Sequence, residues 1–156
     1  MYKATRALIK ARQPHTEMMV EVISVARIGG GILRHCHANA DQVNDKNPNH
    51  KIVSGWMILK YDTFNNHTEM LAHYWNVDED GNYFDITPIE HIDCEYVIDA
   101  ELGRYANQHH EKIYSYVWSS LILSDGKFKA VDFREDGTIY SDIAELKNEL
   151  LFKNIN

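Results

Sequence analysis

The sequence predicts an α+β fold, and three observations carry that prediction. Apolar residues recur at helical spacing in the N-terminal third. They then fall into short runs separated by glycine- and aspartate-containing turns, and return to helical spacing at the C-terminal end. Helices and strands grouped in blocks, rather than strictly alternating, point to α+β with a mostly antiparallel sheet. Pro14, Pro48 and Pro88 are scattered, and no repeat or low-complexity linker divides the chain. Residues 1–156 therefore read as one domain.

Taken in order, Met1 to Gln13 carries Lys3, Arg6, Lys10 and Arg12 and reads as a solvated basic segment. A first helix is expected after Pro14, capped by Thr16, with Glu17 in its first turn. Met18, Met19, Val22, Ile23 and Val25 would form its apolar face, and Gly29-Gly30-Gly31 would end it. A second helix is expected near Cys36, because Cys36, Asn39, Ala40 and Val43 share one helical face; Asn47-Pro48-Asn49 stops it. Strands follow over Ile52 to Tyr61 and Met70 to Val77, with a turn over Thr63 to Thr68. Asp78 to Gly81 is a turn, and Asn82 to Thr87 the returning strand. Asp93 to Glu111 is ambiguous, with a helix expected around Ala100 to Gln108. Ile113 to Leu123 and Phe128 to Phe133 read as strands, followed by a turn at Arg134 to Gly137. The C-terminal segment from Ser141, with Ile143, Leu146, Leu150 and Leu151, reads as a helix.

Composition narrows the function classes. The chain is 44% hydrophobic and 25% charged, an ordinary globular mixture. Its 16 Lys+Arg against 23 Asp+Glu give a net charge of −7. That argues against non-specific nucleic-acid binding, which needs clustered cations. Cys36 and Cys94 are too few for a disulfide framework. The N-terminal segment lacks an apolar signal region, and no window has the length of a membrane span. These features lead to the expectation of a cytoplasmic protein with reduced thiols and no membrane association.

The hairpin around Gly81 is the most informative segment. A three-residue loop Glu79-Asp80-Gly81 would put Gly81 where a left-handed residue is wanted. Asp78 then pairs with Asn82, Val77 with Tyr83, Trp75 with Asp85 and His73 with Thr87. Alternation places His73, Trp75, Tyr83, Asp85 and Thr87 on one face, with His73 and Asp85 as diagonal neighbours. An aspartate bonded to one imidazole nitrogen orients the ring and leaves the other nitrogen for a nucleophile. The nucleophile this suggests is Cys36, at a helix start where the dipole favours a thiolate and backbone N–H groups can face an oxyanion.

These pieces carry a resemblance. His35-Cys36-His37-Ala38-Asn39-Ala40, Ser54-Gly55-Trp56, His73-Tyr74-Trp75-Asn76 and Gly81-Asn82-Tyr83-Phe84-Asp85-Ile86-Thr87-Pro88 resemble the transglutaminase-like core of the papain-like cysteine-hydrolase superfamily. The similarity spans roughly Gly29 to Pro88, and H-x-W followed by D-x-T-P is its most specific part. The resemblance implies a transglutaminase-like fold, with Cys36 as nucleophile, His73 as base and Asp85 as orienter. It also implies an amide-directed activity: peptidase, amidase, deamidase or transglutaminase. The chain departs from the pattern in its small size and in the short interval from His73 to Asp85. No side chain for the oxyanion stands out, and Trp56, Asn39 and Gln13 are the candidates. Trp56, Trp75 and Asn39 are expected to shape the site. The pattern fits small bacterial or phage proteins, which for a phage protein means the host cytoplasm.

Cys36 alone would be a small buried hydrophobe; His73 and Asp85 raise it above that. Cys94 has no such company and reads as structural. No metal is expected, because the side chains of His35, Cys36 and His37 point apart and no zinc spacing occurs; a zinc site built from Cys36 and nearby histidines is the weakest reading. Gly29-Gly30-Gly31 lacks the lysine and hydroxyl residue of a phosphate loop. No cofactor is implied, and the partner is a protein or small amide substrate. The alternative is a non-catalytic binding module or inhibitor on the same fold.

Overall fold

A computed structural model of the chain describes residues 1–12, 20–64, 67–88, 93–100, 102–103, 120–124, 127–133 and 139–140. Among these residues the order is α1 (Lys3–Arg12), β1 (Val20–Ile23), β2 (Val25–Arg27), α2 (Cys36–Lys46), β3 (Lys51–Phe64), β4 (His67–Val77), β5 (Tyr83–Asp85), β6 (Cys94–Asp99), β7 (Ser120–Ser124), β8 (Lys127–Phe133) and β9 (Ile139–Tyr140). The fold is α+β. Among the described residues every strand pairing is antiparallel except that of β2 with β5. No helix among the described residues is long and apolar enough to cross a membrane.

The long pair β3–β4 is the spine of the sheet, with β6 beside β3 and β1 beside β6. The other edge of β4 is shared. β7 takes Thr68 to Leu71, and β5 takes Asn76 and Val77. His73 falls in the interval between those two partners, a position that matters below.

Strand alternation gives the sheet two buried faces. On one, Trp56, Ile58, Met70, Tyr74 and Val97 meet Ala4 and Leu8 of α1 and Ala40 of α2, with Cys36 packed against the cluster. On the other, Met57, Leu59, Trp75 and Tyr96 form a second core. Asn76 ties α2 to β4 by donating from Nδ2 to the carbonyl of Ala40 at 3.1 Å.

Two expectations for the N-terminal third are corrected. The basic segment is not a solvated stretch but helix α1, in which Ala4, Thr5, Leu8 and Arg12 are buried. Arg12 enters the core because Asp99 meets it: Nη2 donates to Oδ2 at 3.0 Å, and Trp56 Nε1 donates to the same oxygen at 2.9 Å. A buried ion pair with its lone pairs occupied offsets the desolvation that otherwise excludes arginine from a core. The helix expected over Thr16 to Val25 is replaced, from Val20 onward, by β1 and β2. Val20, Val22, Ile23 and Val25 are β-branched and lose side-chain freedom in a helix; β6 offers ladder partners to the first three and β5 to Val25. Residues 13–19, including Gln13 and the expected cap Thr16, lie outside the described residues.

Elsewhere the described elements lie where expected, with shifted ends; residues 113–119 of the strand expected over Ile113 to Leu123 and residues 104–108 of the helix expected around Ala100 to Gln108 lie outside the described residues. α2 begins at Cys36 and its closing bond runs from Asn47 N–H to the Val43 carbonyl. β3 and β4 each extend into the segment expected as a turn over Thr63 to Thr68. The ambiguous region resolves first into β6, followed by helical backbone at Ala100, Leu102 and Gly103. The turn at Arg134 to Gly137 and the C-terminal helix from Ser141 lie outside the described residues.

Candidate active site

The hairpin builds the first half of the site. Asp78 caps its own turn: its Oδ1 accepts from Asp80 N at 3.0 Å and from Asn82 N at 2.8 Å. Gly81 supplies the left-handed residue at φ 85°, which glycine adopts without the clash of a Cβ. Val77 therefore pairs with Tyr83, and Asn76 with Phe84. Continuing that register sets Asp85 beside Trp75 and diagonal to His73. The His73 Nε2 lies 2.6 Å from Asp85 Oδ2, and both residues are buried, at 6% and 1% exposure.

Three donors converge on the Asp85 carboxylate. His73 Nε2 and the Tyr96 hydroxyl, at 2.8 Å, both donate to Oδ2, and Thr87 N donates to Oδ1 at 2.7 Å. Burial alone would raise the Asp85 pKa, but the His73 bond and charge, with Thr87 and Tyr96, hold it below the usual carboxylate range. A carboxylate can only accept, so His73 carries its proton on Nε2 and its Nδ1 is left for another partner. Cys36, at the start of α2, acts electrostatically on the same imidazole. Burial opposes charge on His73, yet the bond to Asp85, with the neighbouring Cys36 and the Asp85 charge, outweighs it and pushes the His73 pKa up to about 9.

The second half of the site is the loop that delivers Cys36. After β2 the chain runs alongside β5: Ile28 N donates to the Asp85 carbonyl at 2.9 Å, and Gly31 N to the Ile86 carbonyl at 2.8 Å. Asn39, one turn into α2, clamps the far end of this loop. Its Oδ1 accepts from Ile32 N at 2.8 Å, and its Nδ2 donates to Ile32 O at 2.7 Å and to Thr87 Oγ1 at 3.1 Å. Gly31 has no room for a side chain, since a Cβ there would stand 2.6 Å from the Asn39 amide. A continuous chain of bonds thus links the loop before Cys36 to Asn39, Thr87, Asp85 and His73. Arg34, two residues before Cys36, is held at φ 64°, which is uncommon for a side-chain-bearing residue. His35 offers no side-chain cap to α2, so the first N–H groups of the helix, starting at Cys36, receive no acceptor from the cap residue.

The structure brings Cys36, His73 and Asp85 together and redistributes the other expected residues. Asn39 shapes the site, but both its amide hydrogens are engaged, so it has no donor left for an oxyanion. Trp56 points to the helix-side core and its N–H is bound to Asp99. Trp75 lies beside His73 with ring centroids 6.2 Å apart, nearly parallel, and its edge meets Tyr96 at 5.3 Å. Its indole N–H is buried without an acceptor, so the ring is held by packing. Cys94 faces Arg27 Nη2 at 2.7 Å, and burial pushes its thiol up, an unreactive setting. Among the described residues no three of His, Cys, Asp and Glu are gathered as a metal set.

Tyr96 is the site residue that sequence reasoning missed. The signal was present in Cys94-Glu95-Tyr96-Val97-Ile98, whose alternation would have turned Tyr96 toward the His73 face once β6 was recognised. Tyr96→Phe should keep the ring packing while leaving Asp85 Oδ2 to His73 alone. The carboxylate then concentrates its charge on the imidazolium, and the His73 titration followed by NMR should move to higher pH. Stability should fall by about 1–3 kcal/mol, the range for a hydrogen bond to a charged group.

The same pair sets a pH dependence. His73 has a raised folded-state pKa, so its contribution is complete below the unfolded value near 6.5 and is lost as pH rises through about 9. Asp85 has a depressed one, so its contribution is complete above the ordinary carboxylate range and is lost as pH falls below it. Counted once for the pair, the alkaline loss is about 3 kcal/mol. Melting temperature should decline between pH 6.5 and 9 in the native chain, and that decline should be absent in His73→Asn.

No family model, curated protein or solved structure matches the chain at a significant level. The functional reading therefore rests on the geometry.

Proposed function

We propose that the chain is a cysteine-dependent hydrolase or acyltransferase of transglutaminase-like fold acting on an amide. One observation carries the reading. A buried imidazole is held by a carboxylate through Nε2 at 2.6 Å, and a cysteine at a helix start acts electrostatically on the same ring. Histidine oriented in this way serves as base and then acid, and cysteine beside it is an activated nucleophile.

In the proposed reaction the Cys36 sulfur attacks the amide carbonyl and forms a C–S bond. The developing oxyanion faces the N–H groups at the start of α2. His73 holds the thiol proton and delivers it to the leaving nitrogen as the C–N bond breaks, which leaves a thioester on Cys36. Water or an amine then attacks that thioester, giving up a proton to His73, and the free thiol is restored. Water gives peptidase, amidase or deamidase activity; an amine gives a transglutaminase. Asp85 stays ionised throughout and keeps the ring in place.

An activated ester tests the reaction directly. With p-nitrophenyl acetate the chain should release close to one equivalent of nitrophenol in a burst and carry the acetyl group on Cys36. Added glycinamide should speed release if amines are accepted. Cys36→Ala should abolish the burst, and Cys94→Ala should leave it. A burst that survives Cys36→Ala would contradict the proposal.

A further inference from the structure

Exposed apolar side chains are common singly, so only their clustering on a rigid element suggests recognition. Among the described residues five large hydrophobic side chains are exposed, and three of them, Ile28 at 67%, Ile32 at 64% and Leu33 at 41%, sit on the loop that delivers Cys36. This loop is not loosely held. Ile28 N and Gly31 N donate to carbonyls of the Asp85 segment, and both backbone groups of Ile32 are held by the buried Asn39 amide. The turn Ile32 to His35 is closed by a bond from His35 N to Ile32 O at 3.2 Å. Such a turn keeps its ends within about 7 Å, and His35 is adjacent to Cys36. The Cα atoms of Ile32 and Leu33 are therefore within about 11 Å of that of the nucleophile. A peptide residue flanking an attacked carbonyl lies within that range.

Resting on the reading above, we infer that Ile32 and Leu33, with Ile28 beside them, form an apolar lip that selects the acyl side of the substrate. The substrate class is a polypeptide with a large aliphatic or aromatic residue contributing the attacked carbonyl, or adjacent to it. A rigid lip adds no ordering cost on binding, so burial of a leucine-sized side chain against it translates into affinity. Partial burial of such a side chain is worth about tenfold in rate, the lower end of what an apolar pocket discriminates.

The test uses two affinity labels that differ only at that residue, N-acetyl-leucyl and N-acetyl-glycyl chloromethyl ketone. In both, the Cys36 sulfur displaces chloride and forms a thioether. Each labelling rate is divided by the iodoacetamide rate of the same protein, which separates recognition from thiol reactivity. The leucyl label should be favoured about tenfold in the native chain, and Ile32→Ser with Leu33→Ser should bring the ratio close to unity. A ratio near unity in the native chain, or one the serine variants leave unchanged, overturns the lip. So does a dimer that the same variants split into monomers without a change in the ratio, because a second copy then covers the lip. Failure of the underlying reading looks different: iodoacetamide itself would not distinguish Cys36 from an ordinary thiol.

Discussion

Asp85→Asn is expected to disable the site while nearly preserving its shape. The carboxylate accepts from His73 and Tyr96 on one oxygen and from Thr87 N on the other. An asparagine cannot match that pattern. With its carbonyl toward His73 and Tyr96, its NH2 faces the Thr87 N–H; turned over, the NH2 faces two donors. The first orientation leaves a buried polar group unpaired; the second is satisfied only if the Tyr96 hydroxyl turns to accept and the His73 ring moves its proton to Nδ1, the tautomer that cannot take a proton from Cys36. Removing one partner from a buried ion pair costs about 3–5 kcal/mol, far more than the pair is worth against an apolar replacement. With the negative charge gone, burial dominates at His73 and the ring becomes neutral near pH 7. Turnover should fall by about 10³–10⁴-fold, as where a triad aspartate becomes an amide. Thermal unfolding and the rate with p-nitrophenyl acetate check the two parts separately. A variant that kept both its stability and its burst would show that Asp85 does not orient His73.

Gly55→Ala is expected to act as strongly on folding. Gly55 lies opposite His73 on β4 and opposite Ile98 on β6, in the middle of the spine. A Cβ there would run into the Val97 carbonyl and the Trp75 indole. The carbonyl belongs to the sheet backbone and cannot yield. The indole is fully buried and packs against both His73 and Tyr96, so it cannot yield without moving the site. Overpacking of a close-packed core costs about 1–3 kcal/mol when side chains can adjust, and more where backbone must move. We expect Gly55→Ala to lose more than about 3 kcal/mol on denaturant unfolding, or to fail to accumulate as folded protein. A loss below about 1 kcal/mol would mean that the Trp75 ring is free to move, and would weaken its role in holding His73.

The parts of this site legible in the sequence are the local ones. Gly81, the turn aspartate and the alternation on either side determine the hairpin register within a few residues, so the diagonal pair of His73 and Asp85 could be written down before the fold was seen. Cys36 was readable for a similar reason, since a glycine run followed by helical spacing marks a helix start. Long-range pairing was not readable. Arg12 looked like surface charge because its partner Asp99 lies 87 residues away. Trp56 and Asn39 looked available for the oxyanion because the groups that engage them, Asp99 and the Ile32–Thr87 pair, come from other elements. The Val22-Ile23-Ser24-Val25 run satisfies a helix pattern and a strand pattern almost equally, and the presence of β6 and β5 as neighbours decides between them. Tyr96 was hidden behind the same difficulty, because its role depends on β6 lying across the sheet from β5.

The measurement that bears most directly on the central claim is the alkylation rate of each cysteine by iodoacetamide from pH 5 to 9, in the native chain and in His73→Ala. An ordinary thiol titrates near ~8.5 and is almost inert at pH 6. A cysteine paired with the His73 imidazolium reacts there, and loses that reactivity when the ring is removed. The account predicts rapid labelling of Cys36 at pH 6, its loss in His73→Ala, and slow labelling of Cys94 in both. Cys36 that stays inert at pH 6 in the folded chain, or labels equally fast without His73, would contradict it.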